Sequence, residues 1–316
     1  MDINSNNKFS FNHSQSVRVY SNIKNPIIIL SNLKFAACST VNTISIYNTQ
    51  TFENENSFTF TSQINGISKL NNENIICCIE EQKIKILSIK DDKLECIYTI
   101  VTQNLFFADF TLTVCENKII ISYENNIILW NGISPHNLIK EKTFLVNIKI
   151  FNIFVIGKNI IILTVKKKKY FYIINYSTLD IETIINGIQV LSYFLYDKSK
   201  AYLGGYDQIW LFNTVSLTTE LNICYNCKGI YAITRFSDDY LIFSGEFLVH
   251  TFKKDEKYVI KHQIYMFDLK NNQVIQTNIS QGEYRKRIVF VLIQKINERE
   301  IITMTDNGEI KKWIRE

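Results

Sequence analysis

The segment Ile301–Trp313, IITMTDNGEIKKW, decides the fold. An apolar run comes first, Asp306-Asn307-Gly308 follows, and an alternating return segment ends in Trp313. Asn-Gly between alternating apolar residues is the strongest short-range signal for a β-hairpin. The segment is therefore predicted to form two antiparallel strands joined by a tight turn.

The same pattern recurs six more times, each time as an apolar strand, a short polar turn and a second apolar strand. The residues that end the seven return strands are Tyr47, Leu87, Trp130, Ile174, Phe212, Phe267 and Trp313. They lie 38 to 46 residues apart, except for one interval of 55 residues. A period of about 40 to 45 residues with room for four short strands is typical of propeller blades. We predict an all-β chain, a single seven-bladed β-propeller with four-stranded antiparallel blades.

The composition favours one domain. The chain has 316 residues, 46% of them hydrophobic, with only ten glycines and two prolines, and no Pro-, Gly- or Ser-rich linker divides it. This is ample material for a core. We expect a polar N-terminal segment, residues 1–15, and one propeller domain, residues 16–316.

The predicted seventh blade has only three strands in the C-terminal part of the chain. The segment Ser16–Tyr20 has the alternation of a strand and precedes the first blade. We predict that it supplies the fourth strand of blade seven, which removes two open sheet edges that would otherwise invite aggregation.

These hairpins resemble those of the WD40-repeat family over essentially the whole chain. The resemblance rests on Tyr206-Asp207 and Thr305-Asp306 before two return strands, and on Trp130-Asn131 and Phe267-Asp268 where the family has Trp-Asp. The sequence departs from the family in having no Gly-His pair before any inner strand. The resemblance implies a rigid, non-catalytic platform that holds other proteins in a larger assembly.

The sequence carries no signal for secretion or for a membrane span. Residues Met1–Phe11 are polar and lack an apolar core, so a cytoplasmic or nuclear location is expected. The most apolar long window, Leu145–Val165, contains Lys149 and Lys158, which would be costly near a bilayer centre. Seven cysteines, an odd number, lie mostly in apolar runs and are expected to be reduced.

Three basic segments are predicted to share one face, because second-to-third-strand turns and blade-to-blade connections emerge together in a four-stranded meander. They are Lys166, Lys167, Lys168 and Lys169; Lys253, Lys254, Lys257 and Lys261; and Arg285, Lys286 and Arg287. The net charge of +5 does not by itself indicate nucleic acid. The segments indicate either a partner with phosphates or clustered carboxylates, or simply solvated turns.

An insertion at Glu246–Gln263 is the one long departure from the period. It is too apolar for a flexible linker, so an extended hairpin is predicted. It either prolongs two strands of blade six or contacts a partner.

No pattern in the sequence predicts catalysis, a cofactor or a metal. Cys224 and Cys227 have the spacing of a zinc half-site, but no second pair accompanies them, which favours ordinary thiols. The histidines His13, His136, His250 and His262 are scattered. Phosphate-binding glycine loops, nucleophile elbows and zinc-helix motifs are not found.

Two functions remain open on the sequence alone. The first is a protein–protein interaction scaffold, itself monomeric, within a larger complex. The alternative is a propeller subunit of an RNA-handling complex that uses the basic segments, although RNA recognition normally adds exposed aromatic stacking.

Overall fold

In the computed structural model, most of the described residues form β-strands. The described residues are 9–20, 27–31, 33–70, 75–80, 83–90, 93–101, 110–115, 118–123, 126–131, 139–145, 150–156, 160–165, 170–175, 178, 180–197, 199–206, 208–224, 229–250, 258–280 and 289–316. Within them the strands are β1 (Phe11–Arg18), β2 (Ile27–Ile29), β3 (Lys34–Cys38), β4 (Thr43–Asn48), β5 (Asn54–Thr59), β6 (Gly66–Leu70), β7 (Ile75–Glu80), β8 (Lys83–Lys90), β9 (Lys93–Val101), β10 (Phe110–Cys115), β11 (Lys118–Tyr123), β12 (Asn126–Asn131), β13 (Ile139–Leu145), β14 (Ile150–Ile156), β15 (Ile160–Val165), β16 (Tyr170–Asn175), β17 (Ile181–Asn186), β18 (Val190–Leu195), β19 (Lys200–Gly205), β20 (Gln208–Asn213), β21 (Thr218–Cys224), β22 (Ile230–Arg235), β23 (Tyr240–His250), β24 (Tyr258–Asp268), β25 (Gln273–Ser280), β26 (Phe290–Lys295), β27 (Glu300–Thr305) and β28 (Glu309–Arg315).

In the described part of the chain, these strands form seven four-stranded sheets and no helix is present. Blades 1 to 6 each take four consecutive strands, from β2–β5 through β22–β25, and blade 7 has the order β1-β28-β27-β26. The predicted all-β fold with four-stranded antiparallel blades is confirmed, and so is the N-terminal strand in blade 7.

The chain divides into two compact units. One unit, Arg18–Gly187, contains blades 1 to 4, and the other, Met1–Val17 with Ile188–Glu316, contains blades 5 to 7.

In the unit of blades 1 to 4, central strands are buried on both faces. Ile119, Ile120 and Ile121 are consecutive in β11 and all are fully buried. Ile119 and Ile121 pack with side chains of blade 2, while Ile120 packs with side chains of blade 4. Because successive side chains of a strand point to opposite faces of the sheet, this continuous apolar run contributes to two interfaces, one with blade 2 and one with blade 4.

In the unit of blades 5 to 7, buried hydroxyl groups join neighbouring blades. Ser192 Oγ donates to Ile230 O at 2.7 Å, from blade 5 to blade 6. Ser244 Oγ donates to Phe290 O at 2.9 Å, from blade 6 to blade 7, and accepts the Ala232 N–H at 3.1 Å. Apolar packing between these blades is thus supplemented by hydrogen bonds in a dry environment.

The hairpin predicted at the C-terminus is present as β27 and β28. Met304 pairs with Ile310, and Gly308 takes a positive φ of 84° in the turn. Asp306 Oδ1 accepts the Val289 N–H at 3.0 Å, and its own N–H donates to Val289 O at 2.8 Å. The turn therefore holds the main chain entering β26 directly.

The strand that completes blade 7 begins earlier than predicted, at Phe11 rather than Ser16, and ends at Arg18 rather than Tyr20. Tyr20 instead donates its N–H to Cys38 O at 2.7 Å. Phe11 is buried, and Asn278 holds its main chain on both sides, accepting from Phe11 N and donating to Phe11 O, each at 2.8 Å. The early start of β1 was not predicted because the apolar Phe11 is isolated in a polar stretch of sequence.

Candidate interaction surfaces

Blades 1, 4 and 5 share a side-chain clip between their third and fourth strands. An asparagine ends the third strand, and a glutamate seven residues later lies at a β-bulge in the fourth. The asparagine Nδ2 donates to the glutamate Oε1 in the pairs Asn48–Glu55 (2.9 Å), Asn175–Glu182 (2.8 Å) and Asn213–Glu220 (2.5 Å). This clip was not predicted from the sequence, although an asparagine followed by a glutamate seven residues later recurs in all three blades.

The same asparagine also caps the turn between the two strands. Asn213 Oδ1 accepts the N–H groups of Val215 and Ser216 at 2.9 and 3.1 Å. In blade 5 the hydrogen bond from Asn213, followed by that from Lys200, lowers the pKa of Glu220. A charged side chain at a bulge in an edge strand is a recognised guard against unwanted strand pairing.

The exposed face of the fourth strand differs between blades. In blade 1 the exposed positions of β5 include Asn54 and Ser57, whereas β17 of blade 4 has Ile181 and Ile184 at the same positions relative to the bulge. These two isoleucines are 44% and 45% exposed. Blade 2 also exposes apolar side chains on its fourth strand, at Ile97 and Val101.

Blade 6 carries the extended hairpin predicted for the insertion. Strands β23 and β24 pair continuously from Tyr240–Asp268 to His250–Tyr258. The neighbouring strands β22 and β25 reach only to the pair Gly245–Gln263. Five residue pairs, Glu246–His250 with Tyr258–His262, thus form a two-stranded ribbon beyond the sheet, and we call this segment the blade-6 ribbon.

The base of the ribbon is a buried polar cluster. Glu246 and His262 face each other across the two strands, and both are buried. Tyr231 donates its hydroxyl to Glu246 Oε2 at 3.1 Å, and its ring lies 6.4 Å from that of His262. Gln263 Nε2 donates to Thr277 O at 2.7 Å. These contacts fix the ribbon firmly where it leaves the sheet.

A buried ion pair fixes the segment that enters blade 2. Glu80 accepts hydrogen bonds from Thr61 Oγ1 at 2.8 Å and Ser62 N at 2.6 Å, and its Oε2 lies 2.8 Å from Lys85 Nζ. Burial alone would raise the pKa of Glu80, but the hydrogen bonds and the Lys85 charge outweigh it and lower that pKa. The arrangement parallels that of Asp306, since in both cases a carboxylate near the second turn holds the connection into its own blade.

Most of the predicted partner-binding residues lie outside the described residues. These are Lys166, Lys167, Lys168, Lys169, Lys253, Lys254, Lys257, Arg285, Lys286 and Arg287. Lys261 lies in β24 opposite Phe247, with its side chain outside the described part. The segment 166–169 joins β15 to β16 in one unit, whereas the other two segments belong to the other unit. The shared basic face therefore stays a prediction.

The described residues contain neither a metal-binding cluster of side chains nor a membrane-spanning helix. No group of three or more His, Cys, Asp or Glu side chains among them is arranged to hold a metal ion. Of the two cysteines with zinc half-site spacing, which the sequence favours as ordinary thiols, only the main chain of Cys224 is described, in β21, and Cys227 is not. Cys38 is buried, which raises the pKa of its thiol. A helix long and apolar enough to cross a bilayer is likewise missing from the described residues.

Comparison with known proteins defines the fold. No family model and no curated protein matches the sequence. Among solved structures, the WD40 β-propeller domain of Doa1 superposes with a TM-score of 0.65 and 13% sequence identity, over 97% of each chain. The chain thus has the fold of a divergent WD40 β-propeller.

Proposed function

We propose that this chain is a non-catalytic protein–protein interaction scaffold that acts as a subunit of a larger assembly. The WD40-type propeller supports the general class. The observation that carries the proposal is the blade-6 ribbon, which extends five residue pairs beyond its neighbouring strands.

The blade does not need the ribbon to complete its sheet. A two-stranded ribbon is at best marginally stable alone in water, because it buries little apolar surface. The buried cluster of Tyr231, Glu246 and His262 nevertheless anchors its base. A well-anchored two-stranded ribbon of apolar sequence that extends beyond its sheet is suited to contact a partner.

The charge of the surrounding segments specifies the partner further. In the sequence, residues 251–257 between β23 and β24 include Lys253, Lys254 and Lys257, and residues 285–287, Arg-Lys-Arg, precede β26 of the next blade. We infer an acidic protein partner, since clustered cations steer oppositely charged surfaces into contact.

The first test shortens the ribbon. Replacing residues 247–261 with a two-residue Asn-Gly turn should leave far-UV circular dichroism and the Tm nearly unchanged, while partners recovered from cell extract by affinity purification are lost. Unchanged partners would remove the ribbon from the interaction surface.

The second test reverses charge. Arg285→Glu, Lys286→Glu and Arg287→Glu together should reduce partner recovery. The matched control reverses three exposed cations elsewhere, Lys93→Glu, Lys270→Glu and Arg299→Glu, with the same change in net charge. Equal losses in both variants would show a non-specific charge effect. A nuclease-treated sample separates the alternatives, because partners lost on RNA removal favour a subunit of an RNA-handling complex.

A further inference from the structure

We propose that β9, the fourth strand of blade 2, binds an extended segment of another protein as an additional strand, with a glutamate of that segment opposite Val101 and an aliphatic residue opposite Ile97. This surface lies in the unit of blades 1 to 4, whereas the blade-6 ribbon lies in the other unit. The inference therefore names a second surface and does not depend on the role proposed for the ribbon. It rests on the bulge of β9, on its free edge and on the charge of Lys83.

The first observation is the residue at the bulge. In each of blades 1 to 5 the fourth strand has one bulge against the third, and one residue there has no cross-strand partner. In four of these blades that residue is a glutamate, namely Glu55, Glu141, Glu182 and Glu220. In blade 2 it is Ile97, which is 37% exposed. Since a charge at an edge bulge opposes strand pairing, blade 2 lacks the guard that the other four have.

The second observation is the main chain after the bulge. β9 is the last strand of its sheet, in the order β6-β7-β8-β9. Its start is already engaged, since the Leu94 N–H donates to Asn56 Oδ1 of β5 at 3.4 Å. From Tyr98 to Val101, in contrast, β9 pairs regularly with β8, and no described strand covers its other side. This stretch can therefore accept an antiparallel strand, which is the more stable of the two pairings.

The side chains of this stretch present an apolar surface. Successive side chains of a strand alternate between faces, so Ile97, Thr99 and Val101 share one face. Val101 is 66% exposed, more than Ile97. Aliphatic side chains exposed on an edge strand are normally avoided in soluble proteins, so these two mark a contact surface. In an antiparallel partner, the residues opposite Val101 and Ile97 are four positions apart, with the residue opposite Val101 first.

Lys83 determines the chemistry of the segment. It is the cross-strand partner of Val101 and is exposed. The nearby Lys85 is paired with Glu80 at 2.8 Å, but among the described residues no carboxylate forms an ion pair with Lys83. Neighbouring strands lie about 4.8 Å apart, so a residue opposite Val101 on an added strand is about 10 Å from the Lys83 main chain. A glutamate there covers Val101 with its methylene groups and brings its carboxylate to the Lys83 ammonium group.

The charges at the start of β9 do not alter this preference. Lys93 and Glu95 are both exposed and lie two residues apart, so they offset each other. The segment is therefore specified at the Val101 end, as a glutamate followed four residues later by Ile, Leu or Val. An extended peptide also supplies the main-chain N–H and C=O groups that pair with a sheet edge, which a nucleic acid does not.

The first test measures binding of a peptide to the purified whole chain by fluorescence anisotropy. The probe is a short, labelled, threonine-rich peptide in which Glu precedes Ile by four residues. It should bind with a dissociation constant on the order of 10–100 µM, and the peptide with Ile before Glu should bind at least about fivefold more weakly. Equal binding of the two peptides, or no binding of the first up to about 1 mM, would overturn the proposal.

Two variants test the position of the surface. Ile97→Glu introduces the charge that the other four blades carry and should weaken peptide binding at least about tenfold. The matched control is Val215→Glu, which replaces another exposed aliphatic side chain and should bind as wild type. Thermal melts verify that both variants are folded. Equal weakening in the two variants would show that the peptide does not bind at β9.

A charge swap tests the contact with Lys83. Lys83→Glu should weaken binding of the Glu peptide about tenfold and should bind a peptide with Lys in place of Glu better than the wild type does. If Lys83→Glu binds both peptides equally, the glutamate does not lie beside Lys83 and the proposal is wrong. Failure of the peptide to bind, with dimers of the chain that Ile97→Glu abolishes, would identify a second copy as the occupant instead. Because the ribbon is intact throughout, these outcomes are distinct from failure of the scaffold function.

Discussion

Asn175 Nδ2 lies 2.8 Å from Glu182 Oε1 and so ties the end of the third strand of blade 4 to the bulge in its fourth strand. The same relationship holds in blades 1 and 5, which makes it a repeated device of this chain. In each clip the asparagine caps the turn between the two strands, and the glutamate places a negative charge at the edge of the sheet.

The clip in blade 5 should contribute measurable stability. Asn213→Ala removes the hydrogen bond to Glu220 and two turn-capping bonds, and should lower the free energy of unfolding by about 1–2 kcal/mol in urea denaturation. Glu220→Gln keeps an acceptor for Asn213 and should lower the free energy of unfolding much less than Asn213→Ala, because its ion pair with Lys200 is exposed. Equal losses in the two variants would contradict the clip.

The ion pair of Glu80 predicts a pH-dependent loss of stability. Glu80→Gln leaves Lys85 without its buried counter-charge and should lower the free energy of unfolding by about 3 kcal/mol at pH 7. The pKa of Glu80 is lowered in the folded state, so its contribution is present above the unfolded pKa of about 4.3 and is lost as pH falls through the folded pKa. Urea denaturation from pH 7 to pH 3 should therefore show the wild type and Glu80→Gln converging at acid pH.

The control for this prediction is Glu309→Gln, which removes a surface ion pair with Lys311. It should change stability by less than about 1 kcal/mol at neutral pH. A constant difference between wild type and Glu80→Gln over the whole pH range would show that packing, not charge, is responsible.

Ser244 should be essential for the junction between blades 6 and 7. Ser244→Ala leaves the buried Ala232 N–H and Phe290 C=O without this partner, at a cost of about 1–3 kcal/mol. Amide exchange of Ala232 should accelerate more than that of residues in blade 5. The exposed Ser216→Ala serves as control, and an unchanged exchange rate at Ala232 would disprove the role.

Phe11 should determine whether blade 7 stays complete. Phe11→Ala removes a fully buried ring that packs on Phe236, with an expected loss of about 3–5 kcal/mol. Because β1 has few other buried side chains, it should detach first and leave the edge of β28 open. Light scattering should then show concentration-dependent aggregation at a temperature where wild type remains clear, and a clear solution of Phe11→Ala would count against this closure.

The sequence predicted the strands well because their physical signals are local. Alternating and continuous apolar runs mark the central strands, and Asp306-Asn307-Gly308 marks the final turn. The start of β1 was predicted five residues late, because its only strong signal is the isolated Phe11, whose contacts come from residues more than 200 positions away. The clips were missed because each depends on a bulge, and a bulge leaves no signature in apolar periodicity.

The interaction surface was predicted from the charge of three sequence segments alone, and charge does not determine where those segments lie in the folded protein. The lysine and arginine segments could be found in the sequence, and the ribbon could be inferred from the length of the insertion. The solvent exposure of Ile181 and Ile184 could not be predicted. The local apolar pattern of a strand is the same whether its aliphatic side chains are buried or exposed.

The pairing of β1 with β28 also has a consequence for how the molecule is made. Asn12 and Glu316 touch across 304 residues, so at about 5–20 residues per second the first strand waits roughly 15–60 s on the ribosome for its partner to be synthesised. During this delay the polar side chains of residues 12–16 should keep the nascent strand hydrated and disfavour its pairing with other strand edges. A modest apolar gain in this strand would improve the finished protein while increasing misassembly during translation.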